Sequence, residues 1–265
     1  MSMRARRTLR RLIPFGLAFC AMRSAHAQGG PLFLANDPGT PGNGNWEINV
    51  AAAPSIARDA STYQVPQLDF NYGVGERLQL TYEMPYVVQR SGSAQHSGWS
   101  NANPGIKWRF LDQGEEGWQA SIFPMFEAAG SASSVQRGIA SPGPRYLPLE
   151  VTRKIGEFDL DMEAGHYFPT NHGARERIFG VVVGRPVTGR LELDAEIYDD
   201  RAIDATPDQT TLDVGGRYKL ARGFIALFMA GRSISATAAG QPEFFGYFGV
   251  QILLGNYGRA LASEP

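Results

Sequence analysis

Residues 68–86 read LDFNYGVGERLQLTYEMPY. Leu68, Phe70, Tyr72 and Val74 alternate with Asp69, Asn71 and Gly73. Beyond Gly75, Glu76 and Arg77, the residues Leu78, Leu80, Tyr82, Met84 and Tyr86 alternate with Gln79, Thr81 and Glu83. Successive strand side chains point to opposite faces of a sheet, so this stretch is a β-hairpin with one apolar and one polar face. Alternation alone does not say which face is wet. The rest of the chain, where the same rhythm recurs, decides it.

Ile106, Trp108 and Phe110 alternate with Lys107 and Arg109. A turn over 112–117 returns through Trp118, Ala120, Ile122, Pro124 and Phe126, with Gln119, Ser121 and Glu127 opposite. Phe158, Leu160, Met162 and Ala164 alternate with Asp159, Asp161 and Glu163. Leu191, Leu193, Ala195 and Ile197 alternate with Glu192, Asp194 and Glu196, and Leu212, Val214, Tyr218 and Leu220 with Asp213, Arg217 and Lys219. Further strands are expected over 46–53, 146–155, 178–187, 224–232 and 244–254. The run Val181, Val182, Val183 leaves the facing of its strand open.

The count is about twelve strands, with short turns near residues 75, 114, 156, 189 and 222 alternating with longer loops near 58, 96, 137, 172, 204 and 239. Loops are expected over 54–62 and 89–103 in particular. An even strand number with short turns at one rim and long loops at the other marks an antiparallel transmembrane β-barrel, all-β in class. A closed barrel also pairs every backbone polar group in lipid. Tyr86, Trp108, Phe110, Trp118 and Phe126 crowd toward strand ends, as interfacial girdles do. In a soluble barrel or sandwich the apolar faces would turn inward, but about twelve strands supply more aromatics than a small soluble interior holds.

The start of the chain reads as an address. Arg4, Arg6, Arg7, Arg10 and Arg11 precede an apolar run from Leu12 to Met22, and Ala25-His26-Ala27 forms a small-residue cleavage site. This predicts a secretory signal peptide over 1–27, too short for a transmembrane helix and cut after Ala27. The Arg6-Arg7 pair lacks the rest of a twin-arginine signal. A lipid anchor on Cys20, the sequence's one cysteine, would want a small residue where Phe19 stands. Residues 28–45, rich in Gly, Pro and Asn, predict an irregular arm; 46–254 the barrel; 255–265 a tail.

The whole sequence holds 25 basic and 26 acidic residues. The leader takes six arginines (4, 6, 7, 10, 11 and 23) and no acid, so the exported chain has 19 bases against 26 acids, net −7. That balance argues against a nucleic-acid partner.

Several blocks carry a family resemblance: LANDPGTPGNGNWEI (34–48), the opening hairpin, NPGIKWRFLD (103–112), LDVGGRYKL (212–220) and FFGYFGVQ (244–251). In this order they resemble the outer-membrane family named for the MetA pathway of phenol degradation. The resemblance spans nearly all of the chain after the leader and implies uptake of aromatic compounds across the bacterial outer membrane. The family offers no catalytic motif to carry over. One departure is the segment Gly255 to Pro265, which continues beyond the last strand, where such barrels usually end on an aromatic residue.

With apolar faces toward lipid, the polar faces line the lumen. The candidate pore-lining residues are Asp69, Glu83, Lys107, Arg109, Glu127, Asp161, Glu163, Glu192, Asp194, Glu196, Arg217 and Lys219, read either as a salt-bridged interior or as a selectivity path. Opposing charges on 191–198 and 212–220 predict the register that sets Asp194 against Arg217 and Glu192 against Lys219, because the alternative opposes Glu196 and Asp213. His96 and His172 lack a second ligand at metal spacing, and no cofactor is called for. His166, near Ser and Asn residues, invites comparison with outer-membrane hydrolases, but no nucleophile motif supports an enzyme. The expected function is a channel or facilitator for small solutes, aromatic or hydrophobic ones among them. A plugged structural or adhesion barrel is the alternative, and a hydrolase a more distant one. The expected partners are the lipid bilayer, a small solute and the outer-membrane assembly machinery.

Overall fold

The computed structural model describes residues 32–114, 116–140, 143, 145–169, 175–203, 208–236 and 242–256. The expected leader, its cleavage site, His172 and the tail beyond residue 256 lie outside the described residues. The strands are β1 (Trp46–Ile56), β2 (Ala60–Val74), β3 (Leu78–Ser91), β4 (Ala94–Trp99), β5 (Asn103–Asp112), β6 (Trp118–Ile122), β7 (Met125–Phe126), β8 (Arg145–Ile155), β9 (Phe158–Phe168), β10 (Glu176–Pro186), β11 (Leu191–Ala202), β12 (Asp208–Ala221), β13 (Phe224–Ala236) and β14 (Phe244–Leu254). A single turn of helix, α1 (Ala132–Gln136), lies between β7 and β8.

Every pairing is antiparallel. β4 and β5 share β3, pairing with its two halves, and β6 and β7, interrupted at Pro124, both pair with β5 and β8. Each couple therefore forms one staggered wall strand. β1 pairs with β14 from Trp46↔Leu254 to Ile56↔Phe244, closing a barrel of 12 strands.

The barrel is apolar outside and polar inside. Leu80, Ile106, Leu149, Phe179, Leu193 and Val214 are exposed on the outer wall, whereas Asn49, Asp69, Lys107, Glu150, Glu163 and Glu196 are buried within it. The same alternation settles the valine run: Val182 points inward and Val183 outward. Trp46 and Tyr72, with ring centroids 4.7 Å apart, and Trp108 and Phe110, at 5.9 Å, ring the short-turn rim. Tyr86 and Trp99 meet edge-on at 5.4 Å nearer the other rim.

Three expectations from sequence need correction. The loop expected over 54–62 shrinks to residues 57–59, so short and long connections do not alternate without exception. Pro54 lies within β1 opposite Tyr63 and has no partner in the β1–β14 ladder, while the β1–β2 register shift between Ala51 and Ala53 lies opposite Val65 and Pro66. The stretch 89–103 is not all loop: β3 runs to Ser91 and turns at Gly92, φ 56°, into β4. β13 likewise continues beyond Arg232 to Ala236. Most residues of these extensions are polar, with few apolar ones such as Ile56 and Ile234, so the two-residue period that marks a half-buried strand is weak there.

Candidate functional site: the barrel lumen

The arm that precedes β1 folds into the lumen from the short-turn rim. Its prolines and glycines deny it regular structure, so its backbone donors must find partners on the wall. At its base Gly44 N–H donates to the Gly73 carbonyl at 2.9 Å, and Gly73 N–H to the Asn45 carbonyl at 3.0 Å. The Thr40 hydroxyl donates to the Glu76 carbonyl at 2.9 Å. Higher up, the Lys107 ammonium donates to the Asp37 carbonyl. Asn36 N–H then donates to the Glu163 carboxylate at 2.6 Å, and Leu34 and Ala35 N–H to the two oxygens of Glu196 at 2.9 and 2.7 Å. Charge-assisted bonds of this kind are stronger than neutral ones.

Two inward glycines make room for the arm. A Cβ on Gly73 would come within 1.8 Å of the Gly42 carbonyl oxygen, and one on Gly180 within 2.6 Å of the Ala35 Cβ. Leu32, Phe33 and Ala35 pack against an apolar strip of the inner wall that includes Val182, Leu227, Met229, Phe245 and Tyr247. The arm thus has a charged clasp on β9 and β11 and an apolar seat on β10, β13 and β14.

The residues singled out by charge occupy different surroundings. Lys107, Glu163 and Glu196 hold the arm, and Lys107 also lies 3.2 Å from Glu150, with side-chain exposures of 1% and 0%. Arg109 sits at the short-turn rim, 3.4 Å from Asp112 and donating to the Glu76 carbonyl at 2.7 Å. Asp69 accepts from Asn49 at 2.9 Å and Asn71 at 2.7 Å; Glu83 accepts from Gln67 and from Asn103 at 3.2 Å. Asp161 accepts from the Thr152 hydroxyl. Glu127, beyond β7, accepts from Asn101 at 3.0 Å, and burial pushes its carboxyl pKa above the usual range. Lys219 is exposed near the short-turn rim.

The β11–β12 register differs from the expected one. Glu192 faces Arg217, Asp194 faces Gly215, and Glu196 faces Asp213. The like-charge opposition that argued against this register is relieved from outside the strand pair, because the arm places two backbone N–H groups on Glu196. Cross-strand charge matching has no access to a third segment lying in the lumen.

Glu47, Asn49, Glu150 and Gln251 are also buried inside the barrel, and Tyr146, Tyr167, Tyr198 and Tyr247 point inward with them. Parity could have found Tyr167 and Tyr198, which continue the inner rows of Glu163 and Glu196. His166 is on the opposite face of β9 from Glu163, its ring 4.4 Å from Phe168, and no hydroxyl bonds it among the described residues. Beyond the arm, toward the rim opposite the short turns, the lumen opens into a cavity of about 500 Å³. Phe33 and Leu34 of the arm form part of its boundary.

An apolar exterior around a hydrated interior is stable in lipid, and together with closure it defines a transmembrane barrel of the outer-membrane type. No family model and no curated protein matches the chain. Among solved structures it is similar to an outer-membrane channel of Pseudomonas putida F1, with a TM-score of 0.62 and 14% identity over 83% of this chain and 100% of that one. It is similar also to the KdgM porin, with a TM-score of 0.53 and 9% identity over 77% of this chain and 98% of that one. The NanC porin gives a TM-score of 0.52 and 4% identity over 78% of this chain and 98% of that one. At these identities the likeness is one of fold. A closed barrel with an apolar exterior is the form that spans a bacterial outer membrane.

Proposed function

We propose that the protein is an outer-membrane channel for small solutes, with the arm as its constriction. The cavity of about 500 Å³ on the far side of the arm carries this reading, because it lies inside the barrel and is of the size that holds one small molecule. Its tyrosine and phenylalanine lining suits solutes with an aromatic ring, in keeping with the MetA-like sequence blocks, and the fold neighbours described as channels and porins lend support. The KdgM porin is also known in complex with disordered oligogalacturonate, a polyanion. An acid-rich lumen makes such a polyanion a poor solute here.

The full-length protein in planar bilayers should show a small, steady conductance, and a variant lacking residues 32–44 a conductance about tenfold larger, since it opens a lumen between the filled and open-pore sizes. Liposome swelling with small neutral solutes should follow the same order. A second reading, a sealed structural barrel, is favoured by the arm's several bonds to the wall. A silent full-length protein beside a conducting deletion variant would support that reading and overturn the channel.

A further inference from the structure

We propose that the outer cavity binds an organic cation carrying an aromatic or apolar body, such as a protonated aromatic amine. This rests on the channel reading above and names its class of solute. The cavity wall combines aromatic faces with carboxylates whose charge the protein itself leaves unmatched. Tyr146 and Tyr167 stack at 4.3 Å, and Tyr198 stands on the same inner row of β11 as Asp200. The faces of such rings attract cations, increasingly so where water is excluded.

Among the described residues, Asp69, Glu83 and Asp200 line the cavity with a single base, Lys107. That ammonium is already committed: it lies 3.2 Å from Glu150, donates to Asp37 and sits 4.8 Å from the Phe123 ring centroid. Asp69 and Glu83 are held by the neutral amides of Asn49, Asn71, Gln67 and Asn103, and one carboxylate oxygen of Asp200 has no hydrogen-bond partner. No ion pair among the described residues reaches these three carboxylates. Below Thr211, another lining residue, Asp213 is 1% exposed and faces a second acid, Glu196, across the strand pair. Buried carboxylates are tolerated when paired, and here the missing cation can come with the solute. An anionic aromatic would add to the unmatched charge. A neutral one would use the rings and leave the carboxylates as they are.

The test is titration calorimetry of the full-length protein in detergent with three probes of one size: phenethylammonium, 2-phenylethanol and phenylacetate. Phenethylammonium should bind saturably and at least about tenfold more tightly than the other two, the scale of one charge-assisted contact. Asp69→Asn, Glu83→Gln and Asp200→Asn should each lower its affinity about tenfold and leave 2-phenylethanol unchanged. Tyr198→Leu should weaken both ring-bearing probes. Folding of each variant is checked by the faster migration of unboiled barrel on gels, and the three isosteric acid-to-amide changes keep shape constant. Equal binding of the cation and the alcohol, or preference for phenylacetate, would overturn the proposal. Liposome uptake separates the two claims. Cation binding without permeation would sink the channel and leave the site standing, whereas permeation without charge preference would sink the site and leave the channel.

Discussion

Lys107 is a single cation made to serve three partners, which makes its removal informative. Lys107→Met would strand Glu150, 0% exposed, as an uncompensated charge, a loss of about 3–5 kcal/mol. Urea unfolding from lipid vesicles should register it as a lowered midpoint. The double change Lys107→Met with Glu150→Leu should recover most of the loss, since an apolar pair of similar volume often replaces a buried ion pair at little cost. No recovery would mean that Lys107 stabilises chiefly through the Asp37 carbonyl. Gly73 poses a steric question at the same scale. Its missing side chain leaves the space that the Gly42 backbone fills, so Gly73→Val should dislodge the base of the arm while the wall strand persists. Limited proteolysis of vesicle-inserted protein should then cleave the arm faster than in the parent, and equal cleavage would show that the arm tolerates the intrusion.

The strands carry the parts of the structure that the sequence states most openly. The hairpin of β2 and β3, and the alternation along β9, β11 and β12, predict the inward and outward faces residue by residue, because lipid on one side and water on the other impose a period of two. The β11–β12 register was not legible. It depends on Glu196 meeting Leu34 and Ala35, which lie 162 and 161 positions away in the chain. Nor could the strand ends beyond the bilayer be read, since Ile56 and Ile234 are isolated apolar residues in otherwise largely polar stretches. In a Cys20→Ser background, the pair Glu196→Cys with Asp213→Cys should cross-link under mild oxidation and the pair Asp194→Cys with Arg217→Cys should not. The reverse pattern would reinstate the register that charge matching favoured. On the lipid side, Val214→Arg, mid-strand on β12 and 60% exposed, should cost about 2–4 kcal/mol in vesicle unfolding titrations. A change near zero would mean that this face does not meet the bilayer core.

For the molecule as a whole, closing the wall and narrowing the lumen answer separate needs. Closure removes the open edges that would leave backbone groups unpaired in lipid, and the arm then narrows a lumen that closure alone leaves wide. Composition announced an arm without regular structure, but its lodging inside the barrel had no sequence signal. Its backbone donors pair with carboxylates already accounted for as channel lining. Unboiled protein should run faster than boiled protein on gels, with or without residues 32–44, because the wall holds without its stopper; loss of that shift on deletion would make the arm part of the framework. The clasp also sets an order of events in biogenesis. β1 finds its second neighbour only when β14 exists, and Glu163 and Glu196 stand at their posts only when β9, β10 and β11 are aligned. The arm, made ahead of every strand, can therefore settle only among strands made much later, a long-range and slow kind of assembly. A barrel that closes out of register would offer the arm no matched pair of acceptors. It would stand ajar, and its leakiness would report the error.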